Sequence, residues 1–411
     1  SSWTPLSPHT STARSLTATV PASWSNGVYA LRLKNGSATD SIRLINTPDP
    51  WFVQGDIGDA ATPGGSFTVA GTALERTGAL APQAALVAKT GGTLIAKLPL
   101  TERVTTSTGY ALRFSVPSSV AEGEYQLWLH NGRGGKAGWV RFSTFIDAPL
   151  DTVIVKKAKV WPTTVFNITS YSGTDDDKFA AAIAAASANG GGKIHVPAGT
   201  YTLTKQLVLP PYTVLAGAGR DASLIKWDVA LTTPLVIGKT LVTGSVTRAT
   251  FALEDLRLTA TAPGFISNVV DRSFTKEPGW LKRVGIFAPV TAEKVWDKTP
   301  TGIFLRQTAN TILENVLIDS AKAIYGRDDV SYLKLTGSTF RWNNLNIWLS
   351  SQSHNFLLAD NRFEKRGPVV TQASLVISAF YGAKPYARDF LWANNVVTQV
   401  STETTLSSGY T

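Results

Sequence analysis

From about residue 160 onward, apolar and polar positions alternate in short runs, each closed by a turn. "LENVLI" (313–318), "LTGSTF" (335–340) and "LADNRF" (358–363) follow at offsets of 22 and 23 residues, and "WANNVV" (392–397) after 34. "LEDLRL" (253–258) has the same form. Period-two alternation marks a half-buried strand. Strand units recurring near 22 residues fit one coil of a β-solenoid. A second strand precedes each unit: "GIFLRQ", "AIYGRDD", "NIWLSSQ" and "LVISAF". If Ile303, Ile324, Ile347 and Val376 point inward, then Phe304, Tyr325, Trp348 and Ile377 point outward, one above another. Arg306 and Arg327, two residues on, share that outward face. Asn315, Asn361, Asn394 and Asn395, near one turn position, are expected to stack as a ladder.

One segment breaks the strand rhythm. "GTDDDKFAAAIAAASANGGGKIHVPAGTYTL" (173–203) predicts a helix. Thr174 is placed to cap it with Asp177 three residues on, and Asp175 and Asp176 suit its positive end. Phe179 and Ile183 form its apolar stripe. Asn189 and the glycines after it end it. Such a helix can cover the open end of a solenoid, which would otherwise expose core side chains and strand edges.

The N-terminal part holds a different repeat. "VPASWSNGVYALRLKNG" and "VPSSVAEGEYQLWLHNG" align without gaps at an offset of 96, matching Pro21 with Pro117, Gly27 with Gly123, Tyr29 with Tyr125 and Asn35 with Asn131. Two modules of one kind are implied, the first entered halfway. Both resemble the immunoglobulin-like sandwiches of extracellular enzymes. A spacer role is favoured over carbohydrate binding through Trp24, Trp51, Trp128 or Trp139, since buried Trp is common in sandwich cores.

The order Thr-Asp-Asp, Ala-rich helix, Gly-Gly-Gly, "VPAGTYTL" and "LPPYTVLAGAGRDASLI" resembles the opening of pectate-lyase-like right-handed parallel β-helices, as in polygalacturonase-like and rhamnogalacturonase-like enzymes. The resemblance covers about residues 160–230. It implies an all-β chain: residues 1–47 as a partial sandwich, 48–150 as a second sandwich, and 151–411 as a helix-capped β-helix, incomplete at its C-terminal end. It also implies a "GI-x-L" strand lining a substrate groove. The alternative is lateral packing beneath residues 262–300, read as a covering insertion.

The chain of 411 residues is long enough for such a multidomain layout. It has no Cys, which rules out disulfides and thiolate metal sites, and its net charge of +10 favours a polyanionic partner. It has no Lys/Arg-rich run of the nucleic-acid kind and no apolar run of membrane length. The expected partner is therefore a polysaccharide, acidic by preference. A secreted bacterial monomer is expected.

Inverting hydrolysis needs two carboxyl groups roughly 6.5–9.5 Å apart. "YGRDDV" offers Asp328 and Asp329, and Asp319 and Glu364 lie on nearby coils. Polygalacturonases carry an adjacent Asp pair on such a strand, though their flanking pattern is not matched. Arg327 is a further catalytic candidate. Phe304, Arg306, Tyr325, Trp348 and Glu364 are the substrate-binding candidates. No cofactor is expected for a hydrolase. A lyase would use Arg or Tyr as base, with calcium held by Asp328, Asp329 or Asp360 as an option. A non-catalytic sugar-binding spike is the third reading.

Overall fold

The computed structural model describes residues 3–12, 16–25, 27–76, 80–104, 109–146, 148–241, 245–261, 267–288, 300–342, 345–350, 352–366, 375–378 and 388–400. From Val165 onward the described chain coils through three parallel sheet faces, the first and third of them joined into one larger sheet and the second a separate sheet. Thr213–Gly217 lies in the first sheet, Ser223–Trp227 in the second and Val236–Gly238 in the third. The chain then returns to the first sheet at Phe251–Glu254, paired in parallel with the strand one coil earlier. Thr301–Glu314 and Lys322–Thr336 run from the third sheet on into the first. The parallel β-helix expected from the sequence is therefore the fold.

The register confirms the alternation and corrects one coil. Ile303, Ile324 and Ile347 stand in one column and are fully buried, while Phe304, Tyr325 and Trp348 form the neighbouring, part-exposed column. One coil further, Trp348 is paired with Val376 rather than Ile377, one position from expectation. Of the segment 262–300, residues 262–266 and 289–299 lie outside the described residues, and 267–288 is not a covering insertion. Asn268–Asp271, Gly279–Lys282 and Gly285–Phe287 place a strand in each sheet and make it a full coil.

The turn from first to second sheet is built by one left-handed residue per coil: Asp255, Arg283, Asn315, Gly337, Asp360 and Asn394, with φ between 52° and 59°. Asn and Asp tolerate that conformation and Gly adopts it freely. The buried ladder lies one residue further on. Asn361 Oδ1 accepts from Ser338 N (3.0 Å), and Asn395 Oδ1 accepts from Asn361 N (2.9 Å). Ser338 Oγ accepts from Val316 N (3.0 Å). Asn361 and Asn395 thus stack as expected. Asn315 and Asn394 instead make the turn itself and stay exposed.

The helix α1 (Asp175–Ala188) carries the expected capping box: Thr174 Oγ1 accepts from Asp177 N, and Asp177 Oδ2 accepts from Thr174 N (3.0 Å). Asp175 and Asp176 also accept from the backbone N–H groups of Thr202 and Thr204 (2.9 and 3.1 Å), tying the helix to the coil that it covers. Phe179, Ala182 and Ala186 are buried against that core.

Residues Asp49 to Val155 fold as two sheets around Phe67, Val69, Leu86, Leu112, Phe114 and Leu127, antiparallel except where Val153–Val155 runs parallel to Ala60–Ala61. Val153–Val155, past residue 150, belongs to this sandwich. Tyr125 Oη donates to Ala121 O (2.9 Å), and Tyr29 makes the same bond to Ser25 O at the offset of 96. The repeat is therefore structural. Yet Leu127 and Leu129 are buried, whereas their counterparts Leu31 and Leu33 are 37% and 49% exposed. Among the described residues the first copy forms two-stranded pairs and no second sheet covers it.

The sandwich docks on the first sheet of the β-helix. Phe52, Ala70, Val104 and Ala111 pack against Leu357, Ala359, Leu391 and Ala393. Lys334 lies in this covered zone. Burial pushes its pKa below the ordinary 10.5, and Arg113 of the sandwich adds repulsion. Below its folded pKa the full penalty of burying the charge is present. Between that pKa and 10.5 the unfolded chain binds more protons, so stability rises with pH there. Lys334→Met is expected to stabilise the chain at pH 7 by about 1 kcal/mol. The gain should shrink as pH approaches 10.5, as chemical denaturation across pH would show. A loss of stability at pH 7 would refute this account.

Candidate functional site

Alternation along three successive strands of the third sheet sends Phe304, Tyr325 and Trp348 outward at matching register positions. Their ring centroids lie 5.5 Å and 5.2 Å apart, with planes tilted by 54° and 33°. The expected aromatic strip is present, half-buried rather than open. Lys322 Nζ sits 5.9 Å from the Tyr325 ring.

Charge gathers at the corner where the first two of these strands leave the third sheet for the first. Arg306 and Arg327 are register partners, and Asp328 bridges them: its Oδ2 accepts from Arg306 Nε (2.8 Å) and Arg327 Nε (3.1 Å). Asp329 accepts from Lys276 Nζ (2.7 Å). The register slips here. Arg306 pairs with Arg327 and Thr308 with Val330, so Gln307 stands opposite both Asp328 and Asp329. The acidic pair therefore occupies a β-bulge, the device that re-aims side chains at the edges of sites. Both residues are left-handed, with φ of 55° and 68°.

The coil hidden in 262–300 supplies residues the sequence reading missed. Asp271 continues the outward column beneath Phe304. Arg248 Nη1 reaches Asp271 Oδ2 (3.1 Å), and Arg248 and Arg306 both lie over the Phe274 ring, at 5.4 and 5.5 Å. Phe274 and Lys276 belong to "RSFTKEP", a segment assigned from sequence to a covering loop. Recognising 268–271 as a strand would have placed them at the site.

Two candidates fall elsewhere. Asp319 ends a strand of the second sheet, before the third-sheet strand that leads to Asp328. Residues 322–327, at about 3.3 Å each, put roughly 20 Å between those two carboxylates. This is too far for paired acid–base work. Glu364 is also on the second sheet, bound by Arg341 (3.0 Å) and Arg362 (2.7 Å). Burial alone would push its pKa up, but those two guanidinium bonds outweigh it and hold the carboxyl below the usual range. Asp360 sits at the turn from first to second sheet, on a different corner from Asp328 and Asp329. Among the described residues no group of three or more His, Asp or Glu is placed to hold a metal ion. Of the carboxylates suggested for calcium, Asp360 therefore does not join Asp328 and Asp329.

No family model matches the sequence, and no curated protein matches it. Similar solved structures include the Family 28 exopolygalacturonase of Yersinia enterocolitica, 13% identical over 87% of this chain and 88% of that one, with a TM-score of 0.32. The GH87 alpha-1,3-glucanase of Streptomyces thermodiastaticus is 12% identical over 91% and 73%, at 0.31. A surface protein and adhesin of Streptococcus pneumoniae is 12% identical over 59% and 87%, also at 0.31. At these values the likenesses add no argument to the one made from the chain's own residues.

Proposed function

We propose that this chain binds a polysaccharide along the third sheet and cleaves its glycosidic bonds by inverting hydrolysis. The carrying observation is the three-ring column ending in the Arg306–Asp328–Arg327 cluster. Sugar rings present apolar C–H faces, and an aromatic strip buries them at little entropy cost. Guanidinium groups at its end favour a carboxylate-bearing chain. Arg248, Lys276, Arg306 and Arg327 face Asp271, Asp328 and Asp329 there, so the cluster is net positive. Asp328 and Asp329 are the carboxylates proposed for acid and base. Asp328, whose lone pairs accept from two guanidinium groups, also fixes the positions of both arginines. A secreted bacterial monomer is the setting we favour. No helix among the described residues is long and apolar enough to cross a membrane.

The test is a polysaccharide panel of polygalacturonate, mixed-linkage glucan and alpha-1,3-glucan, read for reducing ends and for ultraviolet absorbance of an unsaturated product. Reducing ends alone support hydrolysis. Both signals together would mean elimination instead. Binding without either would leave a sugar-binding spike. Trp348→Ala and Arg327→Ala are each expected to weaken binding about tenfold or more, and the arginine change should also flatten its salt dependence. A Trp348→Ala loss of about 3 kcal/mol or more in stability, with binding intact, would make the column core packing.

A further inference from the structure

The sandwich carries a second aromatic feature, away from the groove. Trp51, on Asp49–Gly55, and Tyr110, just before Ala111–Ser115, flank the central strand Ser66–Thr72, with ring centroids 6.3 Å apart and planes within 23°. They are 38% and 39% exposed, unlike the part-buried Trp24, Trp128 and Trp139.

Three local devices produce this exposure. The register of Asp49–Gly55 slips between Pro50 and Phe52, so Trp51 sits in a bulge, next to Phe52 of the sandwich–helix contact. Between the rings the backbone is Gly71, whose N–H donates to Tyr110 O (2.9 Å). A Cβ there would lie 2.2 Å from Asp49 O, so only glycine lets these strands approach this closely. Tyr110 is preceded by Gly109, with φ of 59°, where a Cβ would crowd Glu75 at 2.9 Å.

Polar groups held in fixed positions flank the rings. Asp49 Oδ2 accepts from Thr72 Oγ1 (3.1 Å). Arg103 grips Glu75 through Nε at 3.0 and 2.8 Å and through its terminal nitrogen, and these bonds hold the Glu75 carboxyl below its usual range. Near-parallel rings rimmed by planar donors and acceptors match a sugar chain, which has apolar faces and hydroxyl edges.

We infer that Trp51 and Tyr110 form a second, non-catalytic polysaccharide-binding platform. It would hold the polymer to the protein independently of the groove. The inference rests on the carbohydrate reading of the chain but not on the third sheet.

Affinity electrophoresis of the full chain, in gels containing each polysaccharide of the panel, tests it. Trp51→Ala and Tyr110→Ala should each weaken retardation by at least one of them about tenfold, with turnover of a short oligosaccharide unchanged. Melting curves show whether each variant is folded, and Trp51→Leu keeps the strand packed should Trp51→Ala fail. Unchanged retardation in folded Trp51 and Tyr110 variants overturns the platform, whatever Trp348→Ala does. Loss with Trp51→Ala but not with Trp348→Ala upholds the platform and removes the groove. No retardation in any gel overturns both.

Discussion

Asp329→Asn is expected to lower kcat on the cognate polysaccharide about 10²–10⁴-fold, the usual contribution of a positioned acid or base. Folding should hardly change. Asn adopts the left-handed backbone as readily as Asp, and the contact with Lys276 joins two substantially exposed side chains. Such a surface pair contributes about 0–1 kcal/mol. Asp328→Asn should behave differently. Arg306 and Arg327 would lose a shared carboxylate, so KM should shift together with kcat. The two variants thus separate the residue free for proton transfer from the one that also positions the arginines. Retention of a third or more of wild-type kcat by a folded Asp329→Asn would remove that carboxylate from the reaction.

Much of this site was legible because a β-helix translates period into position. A repeat near 22 residues stacks like on like, and alternation decides in from out. Hence Phe304, Tyr325, Trp348, Arg306 and Arg327 could be placed from sequence. What the period does not encode is which sheet an off-strand residue joins. Asp319 and Glu364 lie within a coil of the column in sequence but on another face, because the turns between sheets carry no strand pattern. The hidden coil at 268–287 escaped for a local reason. Its strands are only three or four residues long. Its left-handed turn residue is Arg283, at φ 54°, not the Asn, Asp or Gly by which such turns are recognised. Arg283 is held there by a two-point pair with Asp255 of the preceding coil (2.6 and 2.8 Å), a tertiary cause that no single segment displays. The ladder expected from the sequence lies one residue early at two coils, at Asn315 and Asn394, for a related reason. In "WANN" both asparagines suit the turn, and only packing decides that Asn394 makes it while Asn395 goes inside.

Arg272→Ala is expected to destabilise the chain by about 3–5 kcal/mol, through unpaired buried acceptors and the cavity left behind, the largest stability effect we anticipate. Arg272 is 1% exposed, and burial pushes its pKa down to about 9, so it still carries its charge at pH 7. Its terminal nitrogens donate to Glu277 O and Thr311 Oγ1 (both 2.7 Å) and to Thr250 Oγ1 (3.0 Å). Thr308 Oγ1 and Ala309 O lie at a weaker 3.4 Å. The hydroxyls of Thr250 and Thr308 already donate to Pro278 O and Thr275 O, so they need Arg272 as a donor in return. Truncation would leave these acceptors dry, at about 1–3 kcal/mol for each that stays unpaired, and would open a cavity beside them. Opposing this is relief of the desolvation cost, which is why Arg272→Met, filling the volume without the charge, should lose less than the alanine change. The effect should reach the groove. Arg272 follows Asp271, which holds Arg248, and precedes Phe274, against which Arg306 rests, so a folded Arg272→Met should also bind polysaccharide more weakly. Denaturant titration of both variants decides the matter. A loss under about 1 kcal/mol for Arg272→Ala would mean that water replaces the guanidinium, and that this corner is held by its backbone bonds to Phe304 and Arg306 instead.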